Sequence, residues 1–392
     1  MIKNAVGQLP KPSTTAMQFG AKSVWQIGID EAGYGPILGP FVMAAVAIGR
    51  AGTLRAKEPW KLLEKVTDRA RGRKKPADSE QWFVIADSKQ VHRGSNRLAE
   101  LEFHTLPVLW PWLDSDRRFP TLLERLSVSG LPPDMALACY RAALPLPICH
   151  GADEIMHRAE IWRDRLHRAG LVFDAPRIFV LLPPTINALI AKHGTKAVLP
   201  WLGWRELLSA WNAIMVRHTL AETCEVWCDR LGGRQYYAGL LCEALTGWQL
   251  QHYLETPGQC RYVFSAEAET SADGSSQAVS QKGRRPCRRS REQTVPIRCC
   301  DADKSPALGE RRWTVVVTPL AETRSFAVAL ASMISKYIRE VFMHHFNKYW
   351  QENVPGLRPT AGYPNDGKRF LRDIEPARRR LGLSQAELRR CR

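Results

Sequence analysis

The chain predicts an α/β protein built on a largely buried central sheet, and three observations point there. Short apolar runs of strand length recur at 24–30, 40–49, 177–183, 224–229 and 313–319 of the 392 residues. Segments with apolar residues at helical spacing lie between several of them. The two kinds alternate along the chain, which is the pattern of a sheet covered by helices.

Taken in order, residues 1–22 lack an apolar signal core and read as a disordered leader. Residues 24–30 and 40–49 read as two strands, the second rich in Val and Ala and suited to burial on both faces. Residues 51–80 include "TDRARGRKKPADSEQ", a basic insertion without periodicity, and "WFVIADSK" (82–89) reads as a short strand entering a turn. Residues 90–175 read as mainly helical: Ile155, Ala159, Trp162 and Leu166 recur on one face, and Gly170 ends that run. A strand at 177–183 is followed by a helix whose stripe is Leu207, Trp211, Ile214 and Met215. "CEVWCD" (224–229) is a strand that stops on an acid. Residues 266–312 are polar, Ser/Gly-rich and basic, and read as a disordered insertion. The strand at 313–319 precedes a helix over 325–346 with Leu330, Ile334, Tyr337 and Val341 on one face, and basic helical segments close the chain. The expected organisation is a leader (1–22), a catalytic domain in three pieces (23–94, 176–265 and 313–392), a helical insertion (95–175) and a basic insertion (266–312).

Lys and Arg number 56 against 39 acidic residues, a formal charge of +17. That surplus favours a polyanionic partner, of which nucleic acid is the commonest. No run approaches the ~18 apolar residues of a membrane helix, so a cytoplasmic monomer without a membrane partner is expected. The ten cysteines include no CxxC pair, and neither a disulfide framework nor a zinc site is expected.

The chemistry gathers where strands end on acids. In "WQIGIDEAGYGPILGPFVMAAVAIG" (25–49), Asp30 and Glu31 close an apolar run just before a glycine-rich turn. Adjacent like charges repel, and burial adds to the cost unless a cation compensates. A dinucleotide-binding loop would need a helix to follow the glycines; here Pro36 and Pro40 flank a β-like run, and the carboxylates would repel phosphate. Asp229 closes "CEVWCD", and Glu322 follows "WTVVVTPLA" just ahead of the long helix. Functional groups of α/β sheets gather beyond strand ends. Together the four acids suit a hard cation, Mg²⁺ or Mn²⁺, and a pair of such ions about 4 Å apart can promote phosphodiester hydrolysis.

At these residues the chain resembles the type 2 ribonucleases H, the ribonuclease HII family. "GIDEAGYGPILGP" (28–40) is similar to that family's Asp-Glu-Ala-Gly signature with its glycine turn, and "DSK" (87–89) to its next motif. "INALI" (186–190), "VWCD" (226–229), "LAETRSFAVALASMISKYIRE" (320–340) and "GYP" (362–364) follow in the family's order. The resemblance implies a ribonuclease H-like fold, a mixed central sheet flanked by helices. It implies hydrolysis of the RNA strand of RNA–DNA hybrids, or cleavage at ribonucleotides embedded in duplex DNA, leaving 3′-hydroxyl and 5′-phosphate ends. The four family carboxylates fall on Asp30, Glu31, Asp229 and Glu322, with Asp30 bridging two metal ions, Glu322 helping to hold the one that carries the attacking water, and Asp229 with Glu31 holding the other. Gly33, Tyr34, Gly35, Lys89, Lys336 and Tyr363 are the implied substrate contacts. Two positions depart from the family: Tyr34 stands where its turn has arginine, and Glu322 where it usually has aspartate. Two rival readings share these residues. One is a nucleic-acid-binding protein of the same fold with a weak or inactive site; the other is a nuclease of this fold with a different DNA or RNA substrate.

Overall fold

In the computed structural model, residues 23–51, 58–63, 67–68, 82–91, 97–217, 221–232, 234–266 and 312–391 are described. The expected leader, most of the 51–80 segment and residues 267–311 of the basic insertion lie outside them.

Strands β1 (Ser23–Ala32) and β2 (Phe41–Ala51) pair antiparallel along their whole length. Between β2 and the next main strands come α1 (Pro59–Leu62), a separate parallel pair of β3 (Thr67–Asp68) with β4 (Phe83–Val84), α2 (Ser88–Val91), α3 (Arg97–Leu109), α4 (Phe119–Leu126) and α5 (Ala152–Arg168). β5 (Leu171–Phe173) and β6 (Arg177–Leu181) both pair antiparallel with β2. After α6 (Pro183–His193) and α7 (Val198–Arg217), β7 (Ala221–Cys228) joins β1 in parallel. Helix α8 (Ala238–Ala244) leads to a hairpin of β8 (Trp248–Glu255) and β9 (Cys260–Ala266), and β10 (Arg312–Val317) lies between β9 and β7. The chain closes with α9 (Phe326–Asn353), α10 (Pro364–Asp373), α11 (Glu375–Arg380) and α12 (Gln385–Leu388).

The result is an eight-stranded mixed sheet in the order β5-β2-β1-β7-β10-β9-β8, with β6 also on β2. Each face carries its own apolar cluster. Ala44, Val46 and Ile48 of β2 pack with Leu330 and Ile334 of α9 on one side, and Ile27, Ile29, Val226 and Val315 pack with Trp204, Leu207 and Trp211 of α7 on the other. This is the expected α/β, ribonuclease H-like class: a mixed central sheet flanked by helices.

Helix α9 sets the geometry that matters most. Ser325 caps it by accepting from the Val328 amide at 3.4 Å. Its first ten residues, 326–335, are all buried, as expected of a helical stretch without charged residues. It lies so close to β1 that a Cβ at Gly28 would stand 2.1 Å from the Ala327 carbonyl carbon. Only glycine permits that approach.

Two elements differ from the sequence expectation. The "WFVIADSK" strand shrinks to β4 and pairs with β3 rather than with the main sheet. The β8–β9 hairpin was not expected; β8 buries little beyond Trp248, so it lacks the apolar alternation that marks a strand. The helices of 97–168 share one core with α9: Phe119 meets Phe342 edge-on at 5.1 Å, and Trp162 stacks on Phe326 at 6.4 Å. Among the described residues no helix is long and apolar enough to cross a membrane.

Candidate active site

Three adjacent parallel strands bring the acids to one end of the sheet. Ile29 of β1 is in register with Cys228 of β7, and Cys228 with Val317 of β10. Asp30 and Asp229 are the next residues along their strands, about one strand spacing (~4.8 Å) apart at the backbone. Glu322 reaches the same end from the turn Ala321–Thr323 that joins β10 to α9. That turn is strained: Leu320 adopts a left-handed conformation, φ 56° and ψ 41°, which costs a residue with a Cβ about 1–3 kcal/mol. The Arg230 amide donates to Asp229 Oδ1 at 2.7 Å, and the nearby Leu320 amide also favours the charged form of Asp229. The strained turn therefore presents Glu322 beside Asp229.

Helices α9 and α2 complete the site. The Ser332 hydroxyl of α9 donates to that of Ser88 in α2 at 3.1 Å, close enough to Asp30 to lower its pKa. Ser88 is followed by Lys89, so the close β1–α9 contact at Gly28 also fixes where Lys89 stands. Lys89 feels the charges of Asp87, Asp30, Glu322 and Asp229, which raise its pKa against burial.

The electrostatics are those of crowded carboxylates. Burial raises the pKa of Asp30 well above the usual range; Glu31 and Glu322 push it further, while Ser332 opposes. Glu31 rises to about 7 through burial first and the Asp229 charge next, with Lys89 opposing. Asp229 and Glu322 are raised as well, each mainly by burial, and Lys89 holds both down. Among the described residues no three His, Cys, Asp or Glu side chains are already set as a metal cage. The donor chemistry nonetheless fits a hard divalent cation: every acid offers carboxylate oxygen, and added positive charge relieves the strain that raises their pKa values.

The turn after Glu31 is tightly held. Gly33 has φ +88°, and a Cβ there would fall 2.4 Å from the Pro40 carbonyl oxygen. Arg390, almost wholly buried, donates to the carbonyls of Gly33 and Gly39. Its own amide donates to Ile37 O at 2.9 Å, and Asn187 ties the same C-terminal segment through bonds to Ala386 O, Arg389 O and the Cys391 amide. Burial and the neighbouring Arg339 lower the Arg390 guanidinium to about 9.

The remaining expected contacts fall in different places. Tyr34 meets Phe41 edge-on at 6.3 Å, with the Lys196 ammonium 4.6 Å from its ring centroid. Gly35 lies on the surface beside Tyr363, which is 53% exposed at the start of α10. Lys336 is mostly buried and pairs with Glu340 at 2.7 Å, and burial lowers its pKa. Sequence reasoning assigned no role to Arg390, Ser332 or Leu320. Arg390 sits in "LRRCR", which reads as a solvated basic end, and nothing in a linear pattern marks one of its arginines as turned inward.

No family model matches the chain, and no curated protein matches it. Solved structures similar to it include ribonuclease H2 from Pyrococcus horikoshii OT3, with 12% identity, a TM-score of 0.36, and 93% of this chain and 92% of that one covered. Bst-RNase HIII in complex with Mn²⁺ gives 14% identity and a TM-score of 0.36, over 96% and 68%. RNase HII in its PCNA complex from Archaeoglobus fulgidus gives 13% and 0.32, over 94% of each chain.

Proposed function

We propose that the protein is a divalent-cation-dependent endonuclease that hydrolyses the RNA strand of RNA–DNA hybrids or cleaves at ribonucleotides embedded in duplex DNA. One observation carries this reading: Asp30, Glu31, Asp229 and Glu322 meet at the ends of adjacent parallel strands, beside a glycine-flanked turn. Four acids crowded in this way destabilise the fold unless a cation joins them, and the net charge of +17 on the chain suits a polyanion.

Asp30, Glu31, Asp229 and Glu322 would hold Mg²⁺ or Mn²⁺. When bound, such a cation supplies charge for the phosphate and eases deprotonation of the attacking water. The rest falls to the chain itself. The Arg230 amide orients Asp229, Ser332 favours the charged form of Asp30, and Lys89 offsets the acids' charge before substrate arrives. Glycines on both sides of Tyr34 let the turn's backbone approach a ribose closely, where a hydrogen bond to the 2′-hydroxyl separates RNA from DNA. Hydrolysis adds water across the scissile bond: its oxygen goes to phosphorus, the P–O3′ bond breaks, and the 3′ oxygen leaves protonated. The ends are a 3′-hydroxyl and a 5′-phosphate.

The test is purified protein on a labelled RNA–DNA hybrid, a single-ribonucleotide duplex and an all-DNA duplex, with Mg²⁺, Mn²⁺ or EDTA. Cation-dependent cleavage of the first two alone is expected. Equal cleavage of all three would replace the ribonuclease reading with a nuclease of broader substrate, and no cleavage with binding retained would leave a binding protein.

A further inference from the structure

Beside the acids lies a concavity that the proposed hydrolysis does not use. Tyr34, Ala197, Pro200, Leu231, Arg234 and Tyr236 line it, and its volume is about 480 Å³. This falls within the ~300–1,000 Å³ of small-ligand clefts and is too narrow to admit a duplex. Two lining residues continue acid-bearing segments: Tyr34 is in the turn after Glu31, and Leu231 is two residues past Asp229. A strand whose phosphate rests at the acids therefore has its neighbouring nucleotide at this opening.

The lining matches the parts of one nucleotide. Tyr236 is 69% exposed, and no ring lies against it among the described residues. An exposed flat ring is a stacking surface for a base, whatever the base's identity. Tyr34 is a wall and not a platform, since Phe41 meets its edge and the Lys196 ammonium covers a face. The exposed Arg234 of the lining, and Lys196 with its ammonium 4.6 Å from the Tyr34 ring centroid, supply positive charge for a phosphate, and Gln235 adds an amide that can donate and accept.

We propose that this cavity is a subsite for one unpaired nucleobase next to the scissile bond, stacked on Tyr236, with its phosphate against Lys196 and Arg234. The proposal rests on the nucleic-acid reading above and narrows it: the favoured substrate carries a frayed, bulged or single-stranded nucleotide beside the cleavage position rather than an unbroken duplex.

The experiment uses the full chain and single-ribonucleotide duplexes with 2-aminopurine next to the ribonucleotide, on either side, in a bulged or a paired setting. Binding is followed in EDTA by 2-aminopurine fluorescence, and cleavage separately in Mg²⁺. Wild type should bind a bulged duplex about 10-fold more tightly than the paired one, the size of one base–aromatic stack, and quench its fluorescence. Tyr236→Ala should lose preference and quenching together, while Tyr236→Phe keeps both. Equal affinity for bulged and paired duplexes, or quenching that survives Tyr236→Ala, overturns the subsite. Cleavage without base-dependent quenching refutes the subsite alone; quenching without cleavage refutes the nuclease reading and leaves the subsite standing.

Discussion

Replacing Glu31 by glutamine keeps the shape of the side chain and removes one charge from the acid cluster. In the folded protein Glu31 titrates at about 7 against an ordinary 4.5, through burial and the Asp229 charge. A carboxylate raised in this way binds its proton more tightly folded than unfolded. Its cost to stability is therefore absent below about pH 4.5, grows as pH rises through the window, and is complete above about pH 7. The shift corresponds to about 3 kcal/mol at most, and contact with solvent reduces it. For a chain of this length, unfolding entropy scaled per residue converts that into a melting shift of about 4 °C. Calorimetry in EDTA between pH 4.5 and 8 should show both proteins melting together at the acid end and Glu31→Gln melting up to ~4 °C higher at pH 8. Excess Mg²⁺ should raise the wild-type melting temperature at pH 8 more than that of the variant. A constant offset across pH, or a variant less stable at pH 8, would refute the claim that burial and the Asp229 charge hold Glu31 against ionisation.

Two other substitutions probe the frame around the acids. Gly28→Ala places a methyl 2.1 Å from the backbone of Ala327 and Val328; overpacking against backbone should cost about 3 kcal/mol or more, read as a lower denaturation midpoint, and wild-type stability would contradict the close β1–α9 approach. Arg390→Ala removes the donors to Gly33 O and Gly39 O and should cost about 2–4 kcal/mol; hydrogen exchange at the Ile37 and Leu38 amides should quicken, Arg390→Lys should restore part of the protection, and unchanged exchange would show that the C-terminal segment does not brace the turn.

What the sequence could reveal followed from local pattern. The strands β1, β2, β6, β7 and β10 carry dense apolar runs because both faces of the sheet are covered, and such runs are visible in one dimension. The acids stood out because a carboxylate pair at the end of an apolar run is costly. Their adjacency was a different matter: β1 and β7 lie side by side with about 190 residues between them, and periodicity carries no information about such pairings. The β8–β9 hairpin stayed hidden because β8 exposes most of its residues. Lys336, a candidate phosphate contact, lies mostly buried with Glu340 one turn along the same helix, a local pairing that helical spacing allowed but could not choose. The left-handed Leu320 and the inward Arg390 depend on tertiary contacts alone.

The most direct test of the central claim is a cleavage time course on a duplex with one embedded ribonucleotide in Mg²⁺ or Mn²⁺, comparing wild type with Asp30→Asn. The ends are mapped, and the fold of each protein is checked by circular dichroism. The account predicts wild-type cleavage leaving 3′-hydroxyl and 5′-phosphate ends, and none by Asp30→Asn, which should fold and melt no lower than wild type in EDTA. Cleavage by a folded Asp30→Asn at the wild-type rate would contradict it.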